Sequence, residues 1–505
     1  MFQLPSLEDF NLVGALPGLI VAGWACILLL VDLFIPKNKK STTAWLAALG
    51  IVVAFFVNIF TYNLPNQESF LGMFRADAFT GFVNIILLVT GFIAILMSLD
   101  YLKRIGIERG EYYILMLFSL SGMMFMGSAN DLVSMFIALE LLSIPLYILS
   151  AFRSPDLKSE ESGLKYFLLG AFASAFFVYG CALIYGATGT TNLPEIFGQV
   201  QVSLTGESGS IFLLVLGAGL VLVGLGFKVA VVPFHMWTPD VYEGAPSSVT
   251  AFMSVGAKTG GFAAMLRLLI VGLSTLVLTD VATATLWQNV AVVISIATLI
   301  LGNFVAISQS NIKRMLAYSS IAHAGYIMIA VAASGSAGIA DEAARAALLY
   351  MLAYAFTNLG AFGVAMAVEK NDGTGTSLSD FIGLSKRQPI LAFMMLVFML
   401  SLIGIPLTAG FIGKAFVFQA ALNADLGVLA VVGVITSAVS AFYYIRIVVN
   451  MYLHDNENTE TPGDTPYLRW AVYIAFAGTI VLGILPFLLS DLLGVVSFGL
   501  TALIP

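Results

Sequence analysis

The chain has 505 residues, of which 59% are hydrophobic and only 10% are charged, and its mean hydropathy is +0.97. A soluble protein carries roughly 25% charged residues, so this composition excludes an ordinary water-soluble domain and indicates a membrane protein. The net charge of −7 and the lack of a basic tail leave almost no electrostatic basis for nucleic-acid binding. Cys26 and Cys181 lie in apolar runs, and no cysteine, histidine and carboxylate cluster predicts a metal, haem or iron–sulfur site.

The apolar runs predict an all-α polytopic membrane protein with about fourteen transmembrane helices, because a spanning helix needs about 20 mostly apolar residues. The runs are continuous rather than alternating, which excludes a closed β-barrel. The residues before the first run are acidic, so we expect this run to be a retained first span and not a signal peptide. In chain order, the predicted spans cover 12–35, 43–62, 79–99, 111–128, 130–151, 164–187, 209–232, 247–272, 287–307, 316–334, 343–367, 390–420, 425–453 and 468–490.

Basic residues alternate between the predicted loops. The loops after spans 1, 3, 5, 9 and 11, and the loop before span 14, carry Lys37, Lys39, Lys40, Lys103, Arg104, Arg109, Arg153, Lys158, Lys165, Lys313, Arg314, Lys370, Lys386, Arg387 and Arg469. The other loops carry only Arg75 and Arg345. Because basic loops stay on the cytoplasmic side, this pattern predicts an even number of spans with both termini outside.

Two pairs of segments indicate an internal repeat. Residues 166–174 of span 6 resemble residues 350–358 of span 11, at an offset of 184 residues. Lys228 and Lys414 are 186 residues apart, and each lies near a proline, Pro233 or Pro406, that predicts a break in span 7 or span 12. A repeat offset by five spans is inverted, and inverted repeats with broken helices are typical of secondary transporters. A simple kink in a packed helix is the alternative interpretation of each proline.

Ionisable residues inside the predicted spans are the main functional signal, since each costs about 2.5–3.5 kcal/mol at the bilayer centre. They are Glu140, Lys228, Lys258 and Lys414. A buried lysine can gain and lose a proton near neutral pH, whereas an arginine stays charged, so lysines at these sites favour proton transfer. Glu140 is the expected partner of Lys228 in an electrostatically coupled pair, and a static ion pair that holds helices together is the alternative.

Other polar residues leave two interpretations open. His323 in span 10 is flanked by apolar residues and is either a proton relay or a hydrogen-bonded core histidine. Lys165 begins span 6 and either extends inward as a relay or lies at the interface. Arg267 lies nearer the end of span 8, from where its side chain can snorkel to the surface. His235 follows Pro233 and is expected in the broken segment or in its loop.

The stretch FHMWTPDVYEGAPSSVTAFMSVGAK, residues 234–258, resembles the antiporter-like subunits of complex I and of multisubunit cation/proton antiporters. Its DVYEGAP segment, residues 240–246, resembles subunit N, which is subunit 2 in mitochondrial naming. The resemblance extends over nearly the whole chain, including the segments ALELLSIPLYIL, GLKYFLLGAFASA, NIKRMLAYSSIAHAGY and GIPLTAGFIGK. The chain is thus identified as similar to antiporter-like subunit N of bacterial complex I.

The resemblance implies a role for each buried charge. Glu140 and Lys228 correspond to the glutamate and lysine of a first half-channel, Lys258 to a connecting lysine, and Lys414 to a terminal lysine. Subunit M usually has glutamate at the last position, and subunit L usually continues into a lateral helix and an extra span. Lys414 and the end of this chain at Pro505 therefore favour subunit N over both.

The resemblance also implies an organisation in which two inverted five-helix bundles are formed by spans 4–8 and 9–13. The expected segments are a three-helix segment at 1–110, a first repeat at 111–272, a second repeat at 287–453 and a C-terminal segment with span 14 at 454–505.

The implied function is proton translocation as a subunit of the translocase NADH:quinone oxidoreductase, in the bacterial inner membrane. The chain has no dinucleotide-binding glycine motif and no cluster ligands, so we expect no redox centre in it. FMN, iron–sulfur clusters and quinone are expected in other subunits, and the expected partners are neighbouring antiporter-like and small membrane subunits. An Mrp-type cation/proton antiporter subunit is the alternative, because it would use the same kind of buried charge.

Overall fold

The structure is a computed structural model that describes residues 10–62, 64, 66–204, 210–274, 286–370, 373–455 and 465–498. The extreme ends of the chain lie outside the described residues, and so do residues 456–464 of the predicted C-terminal segment. The predicted outer position of both termini therefore stays a prediction.

Nineteen α-helices account for most of the described residues. The first ten are α1 (Leu16–Val31), α2 (Ser41–Tyr62), α3 (Ala78–Arg104), α4 (Gly110–Ser128), α5 (Leu132–Ser150), α6 (Leu157–Thr188), α7 (Leu193–Leu204), α8 (Ile211–Val229), α9 (Trp237–Gly244) and α10 (Ser247–Arg267). The remaining nine are α11 (Leu286–Ile307), α12 (Ile312–Ala333), α13 (Ala340–Val368), α14 (Leu384–Arg387), α15 (Pro389–Ile403), α16 (Ala409–Asn423), α17 (Gly427–Leu453), α18 (Pro466–Ile484) and α19 (Ser490–Gly494).

A short hairpin between α2 and α3 was not predicted. Its strands, β1 (Gln67–Ser69) and β2 (Phe74–Ala76), are antiparallel, and Glu68 pairs with Arg75. The hairpin lies in the loop between predicted spans 2 and 3, where the search for long apolar runs gives no signal for such short strands.

Twelve stretches within the described residues are long and apolar enough to cross a membrane, and they match twelve of the predicted spans. The two other predicted spans are span 4, which forms α4, and span 12, which is divided into α15 and α16. The all-α polytopic fold is therefore confirmed, and the count of fourteen stays a prediction. The chain crosses the membrane several times, as its composition indicates.

Both predicted helix breaks are present. The first separates α8 from α9 and contains Pro233, and the second separates α15 from α16 and contains Pro406. Proline has no backbone N–H and clashes with the preceding turn, so neither helix continues through it. Lys228 lies in the last turn of α8, before its break, whereas Lys414 lies in α16, after its break. This difference agrees with the sequence, in which Lys228 precedes Pro233 and Lys414 follows Pro406.

The most buried spans are the least apolar ones. The α10 span is completely buried, and α12 and α13 are nearly so, although their hydropathy is lower than that of most other spans. In contrast, α6 exposes a broad apolar face that includes Phe172, Tyr179 and Leu168. A helix that faces lipid must be apolar, whereas a helix surrounded by protein can carry small and polar residues. Polar side chains are thus gathered on α10, α12 and α13 at the centre of the molecule.

Helices α4 to α10, the first helix group, and α11 to α17, the second helix group, have corresponding packing partners. Helix α4 packs against α5 and α10, as α11 packs against α12 and α17. Helix α6 packs against both halves of the first broken helix, α8 and α9, and α13 packs against both halves of the second, α15 and α16. This correspondence agrees with the predicted repeats, while their opposite orientation in the membrane stays a prediction.

Candidate functional site

Lys228 is 2% exposed, and its partners are neutral. Its Nζ atom donates hydrogen bonds to Ser143 Oγ on α5 at 2.7 Å and to the hydroxyl of Tyr166 on α6 at 3.1 Å. The same Nζ atom lies 5.2 Å from the ring centre of Tyr166 and 5.9 Å from that of Tyr147. Hydroxyls and aromatic rings satisfy an ammonium group without a fixed negative charge. Lys228 can therefore lose its proton without leaving a directly paired carboxylate behind.

Glu140 was predicted as a buried charge, but it is only half-buried, because it lies on the same face of α5 as the exposed residues Ile137 and Ile144. It lies one helical turn before Ser143 and accepts a hydrogen bond from Ser174 Oγ on α6 at 2.5 Å. No ion pair within 4.0 Å joins Glu140 to Lys228 in the described part of the chain. The expected pair is thus not in direct contact, because Ser143 is the α5 residue that meets Lys228. Each of the two charged groups has its own hydroxyl partners, which does not favour the alternative of a static ion pair.

Lys258 lies in the middle of α10, is 3% exposed and donates a hydrogen bond to the backbone carbonyl of Ser320 on α12. The hydroxyls of Ser320, Tyr242 and Tyr354 are buried, and none has a close hydrogen-bond partner among the described residues. The hydroxyls of Tyr242 and Tyr354 both lie near that of Ser320. Buried hydroxyls of this kind are usually satisfied by ordered water, so this region is suited to a hydrated proton path.

His323 lies one turn after Ser320 on α12, and both of its ring nitrogens are hydrogen-bonded. Nδ1 lies 2.7 Å from the hydroxyl of Tyr350, and Nε2 lies 3.2 Å from the hydroxyl of Tyr444. A tyrosine hydroxyl both donates and accepts, so these contacts are compatible with either tautomer. The geometry is therefore compatible with a proton relay as well as with a structural histidine, and both interpretations stay open.

Lys414 is 4% exposed and binds the end of the half-helix before its break. Its Nζ atom donates to the carbonyls of Leu402 at 3.0 Å and Ile403 at 2.8 Å, and to Ser437 Oγ at 2.8 Å. The last carbonyls of a helix have no intrahelical partner and carry partial negative charge, so a cation is favoured there. The broken helix thus provides a polar site for the lysine without a carboxylate.

Helix α12 links Lys258 to Lys414. Ser320, His323 and Tyr326 are spaced three residues apart and so lie near one another on its surface. Lys258 binds the carbonyl of Ser320, and Nζ of Lys414 lies 4.5 Å from the ring centre of Tyr326. His323 lies between these two contacts, with its ring 5.8 Å from that of Tyr326. The structure therefore brings Lys258, His323 and Lys414 into one continuous polar region.

Lys165 does not belong to this buried region. Its side chain is 41% exposed and forms ion pairs with Glu161 at 2.7 Å and Asp240 at 2.8 Å. This geometry fits the interfacial interpretation, in which the lysine ends at the membrane surface.

The prediction that Arg267 can snorkel to the surface is wrong, because its side chain is fully buried. Its guanidinium group forms two hydrogen bonds of 2.9 Å with the carboxylate of Asp77, and its Nε atom donates to the carbonyl of Gly127 at 3.1 Å. Asp77 precedes α3 and lies 190 residues away in sequence. Hydropathy gives no signal of such a pair, although an aspartate directly before an apolar run does mark the start of a helix.

Glu369, which follows α13, is a further buried charge that the sequence pattern does not reveal, and it is 5% exposed. It accepts hydrogen bonds from the hydroxyl of Tyr101 at 2.9 Å and from Ser247 Oγ at 2.5 Å. Because it lies beyond the apolar run, it looks like an ordinary loop residue in the sequence. Among the described residues, no group of histidine, cysteine and carboxylate side chains could hold a metal ion.

Comparison with known proteins decides the family. Residues 129–440 match a family described as NADH:quinone oxidoreductase/Mrp antiporter, transmembrane region. The chain is 46% identical to NADH-quinone oxidoreductase subunit N of Chloroflexus aggregans over 471 residues, covering 93% of this chain and 94% of that protein. This chain belongs to the subunit N family of NADH-quinone oxidoreductase.

Two solved structures show the same fold as this member of the subunit N family. A chain of respiratory complex I from Thermus thermophilus with bound aureothin is 34% identical, with a TM-score of 0.78 over 94% of this chain and 98% of that one. A chain of the Mrp complex from Dietzia has a TM-score of 0.81 over 96% of each chain, at 20% identity. At 20% identity, the likeness to the Mrp chain concerns the fold alone. The subunit N relative also covers nearly the full length, but at 46% identity.

Proposed function

We propose that this chain is the antiporter-like proton-translocating subunit of a bacterial respiratory complex I, in the inner membrane. In this proposal protons move through Glu140, Lys228, Lys258 and Lys414 while quinone is reduced elsewhere in the complex. The observation that carries it is that the polar partners of three buried lysines, among the described residues, are hydroxyls, carbonyls and aromatic rings. Placing a charged side chain inside a membrane span costs free energy, and such residues usually have a function.

Each lysine can release a proton because it has no directly bound carboxylate among the described residues. His323 and its tyrosine partners lie between Lys258 and Lys414, which supports a role as a relay between them. Lys165 is supported only as an interfacial residue.

We further propose the wider arrangement that this function requires. FMN, iron–sulfur clusters and quinone would lie in other subunits, and the neighbours of this chain would be other antiporter-like and small membrane subunits. The first and second helix groups would be inverted repeats, and both termini would lie on the outer side. The Mrp-type antiporter is the second candidate, and it is supported by the shared fold.

The decisive test compares Lys228→Ala with Lys228→Arg in the assembled complex. If Lys228 carries protons, both variants should lower proton pumping in sealed vesicles by roughly an order of magnitude, since arginine keeps the charge but does not release its proton. Coupled quinone reduction should fall as well, and Glu140→Ala and Lys414→Ala should behave similarly. Normal pumping by assembled Lys228→Arg would show that charge alone matters and would reject proton transfer at this residue.

A further inference from the structure

The DVYEGAP segment, to which the proposed function assigns no role, lies where four cationic side chains meet. Asp240 to Ala245 form the end of α9 and the connection to α10. Two of the cations come from α6 in the first helix group and two from α12 in the second helix group. Helix α9 packs against both α6 and α12, so this segment lies between the two groups.

On the α6 side, Lys165 binds the carboxylate of Asp240 at 2.8 Å, and Lys158 binds that of Glu243 at 3.2 Å. The backbones also approach closely, since a Cβ atom at Gly244 would overlap the carbonyl oxygen of Lys158. Only glycine permits this contact. The end of α9 is therefore fixed to α6 by both charge and packing.

On the α12 side, Arg314 binds the carboxylate of Asp240 at 2.7 Å and that of Glu243 at 3.1 Å. Lys313, which is 6% exposed, donates to the backbone carbonyls of Glu243 at 2.8 Å and Ala245 at 2.7 Å. Asp240 is thus bonded to both helix groups at once, through Lys165 and Arg314.

The other end of α9 reaches the surroundings of Lys228. Trp237 begins the helix, and its ring is stacked on that of Tyr166, with ring centres 4.4 Å apart and planes 6° apart. Its Nε1 atom donates to the carbonyl of Phe227, the residue before Lys228, at 2.9 Å. Tyr166 in turn accepts a hydrogen bond from Lys228. A displacement of α9 would therefore change the contacts of this lysine.

We infer that Asp240 is a positioning residue that ties α9 to both helix groups and thereby sets the environment in which Lys228 exchanges its proton. The inference rests on the proposed function, because it concerns control of Lys228. Isolated surface ion pairs contribute little to stability. Here several cationic side chains bind one acceptor segment, and a network of this kind holds its geometry better than a single pair. When either helix group moves, the movement reaches Lys228 through α9.

The test uses Asp240→Asn, Asp240→Glu and the control Lys386→Ala in the intact complex. Lys386 pairs with Asp455 at 2.6 Å in a contact whose side chains are 71% and 76% exposed, so its loss should leave pumping unchanged. We expect Asp240→Asn to lower the protons pumped per quinone reduced roughly three- to tenfold, and Asp240→Glu to restore much of the loss. Hydrogen–deuterium exchange of residues 237–244 should rise in Asp240→Asn and not in the control.

Lys228→Ala is measured in the same vesicles so that the two proposals fail separately. Normal pumping and exchange in Asp240→Asn, with pumping lost in Lys228→Ala, would overturn the role of Asp240 and leave the proposed function intact. Normal pumping in Lys228→Ala would instead reject the proton transfer through Lys228 that the proposed function assigns.

If the complex with Asp240→Asn does not assemble, pumping is measured in Lys165→Gln, in Arg314→Gln and in the variant that combines both. A double variant that pumps as well as the weaker of the two single variants supports Asp240 as their shared acceptor. If the two losses of pumping add in the double variant, the shared acceptor is overturned.

Discussion

Buried lysine and buried arginine have different surroundings in this protein. Lys228, Lys258 and Lys414 contact neutral groups, whereas Arg267 binds the carboxylate of Asp77 through two hydrogen bonds. Arginine stays charged at all relevant pH values, so it needs a permanent partner when it is buried. Lysine can become neutral, so it does not need one. The residue type thus separates a structural ion pair from sites suited to proton exchange.

We expect Asp77→Asn to destabilise the protein by about 3–5 kcal/mol, because it leaves the guanidinium of Arg267 buried and unpaired. Thermal inactivation of the purified complex should therefore occur at a lower temperature. The control is Asp455→Asn, which removes an exposed carboxylate and should change stability by less than about 1 kcal/mol. Equal stability of the two variants would mean that the Asp77–Arg267 pair does not hold α3 and α10 together.

The broken helices place polar backbone groups at membrane depth. Helix α15 ends at Ile403 and is capped by Gly404, whose φ of 93° is in the left-handed region that favours glycine. Its free carbonyls, from Leu402 and Ile403, accept hydrogen bonds from Lys414. Exposed carbonyls are tolerated inside a membrane only where protein or water satisfies them. The break and the lysine are therefore one structural unit.

Gly404→Ala should disturb this unit for two reasons. A side chain in the left-handed region costs about 1–2 kcal/mol, and the new Cβ atom would lie 2.9 Å from Cδ of Lys414. We expect lower proton pumping in vesicles that contain normal amounts of assembled complex. Gly219→Ala is the control, because a Cβ atom at this position in α8 meets nothing within 4 Å. Equal pumping by the two variants would show that the break does not position Lys414.

At the scale of the whole molecule, the polar residues form a central region that is enclosed by apolar helix faces. The described residues of the α10 span are all buried, and α6 presents apolar side chains outward. This arrangement separates a polar interior from lipid or from neighbouring subunits.

Membership of a larger assembly gives a prediction that needs no substitution. Tagged protein purified in a mild detergent should co-purify with other membrane subunits and with quinone reductase activity that depends on NADH or ferredoxin. The isolated chain should have no such activity, because its sequence carries no cofactor-binding motif. Recovery of a lone chain, or of antiporter subunits without redox activity, would instead support the Mrp-type alternative.

The sequence by itself determined the membrane class, the approximate spans, the two breaks and the four charges within the spans, of which the three lysines are buried and Glu140 is half-buried. These features follow from local properties, namely the length of apolar runs, the position of prolines and the cost of a charge within a span. The family followed from one continuous motif and its extension along the chain. None of these inferences required knowledge of which helices touch.

Only the tertiary structure decided which groups meet. The position of Arg267 near the end of span 8 would let it snorkel, yet it binds Asp77 from another part of the chain. Glu140 was expected to pair with Lys228, yet Ser143 is the α5 residue that contacts the lysine. Such contacts depend on how helices rotate and pack against one another. In a membrane, a helix face that touches lipid and a face that touches another helix are both apolar. The pattern of apolar residues therefore constrains helix packing only weakly.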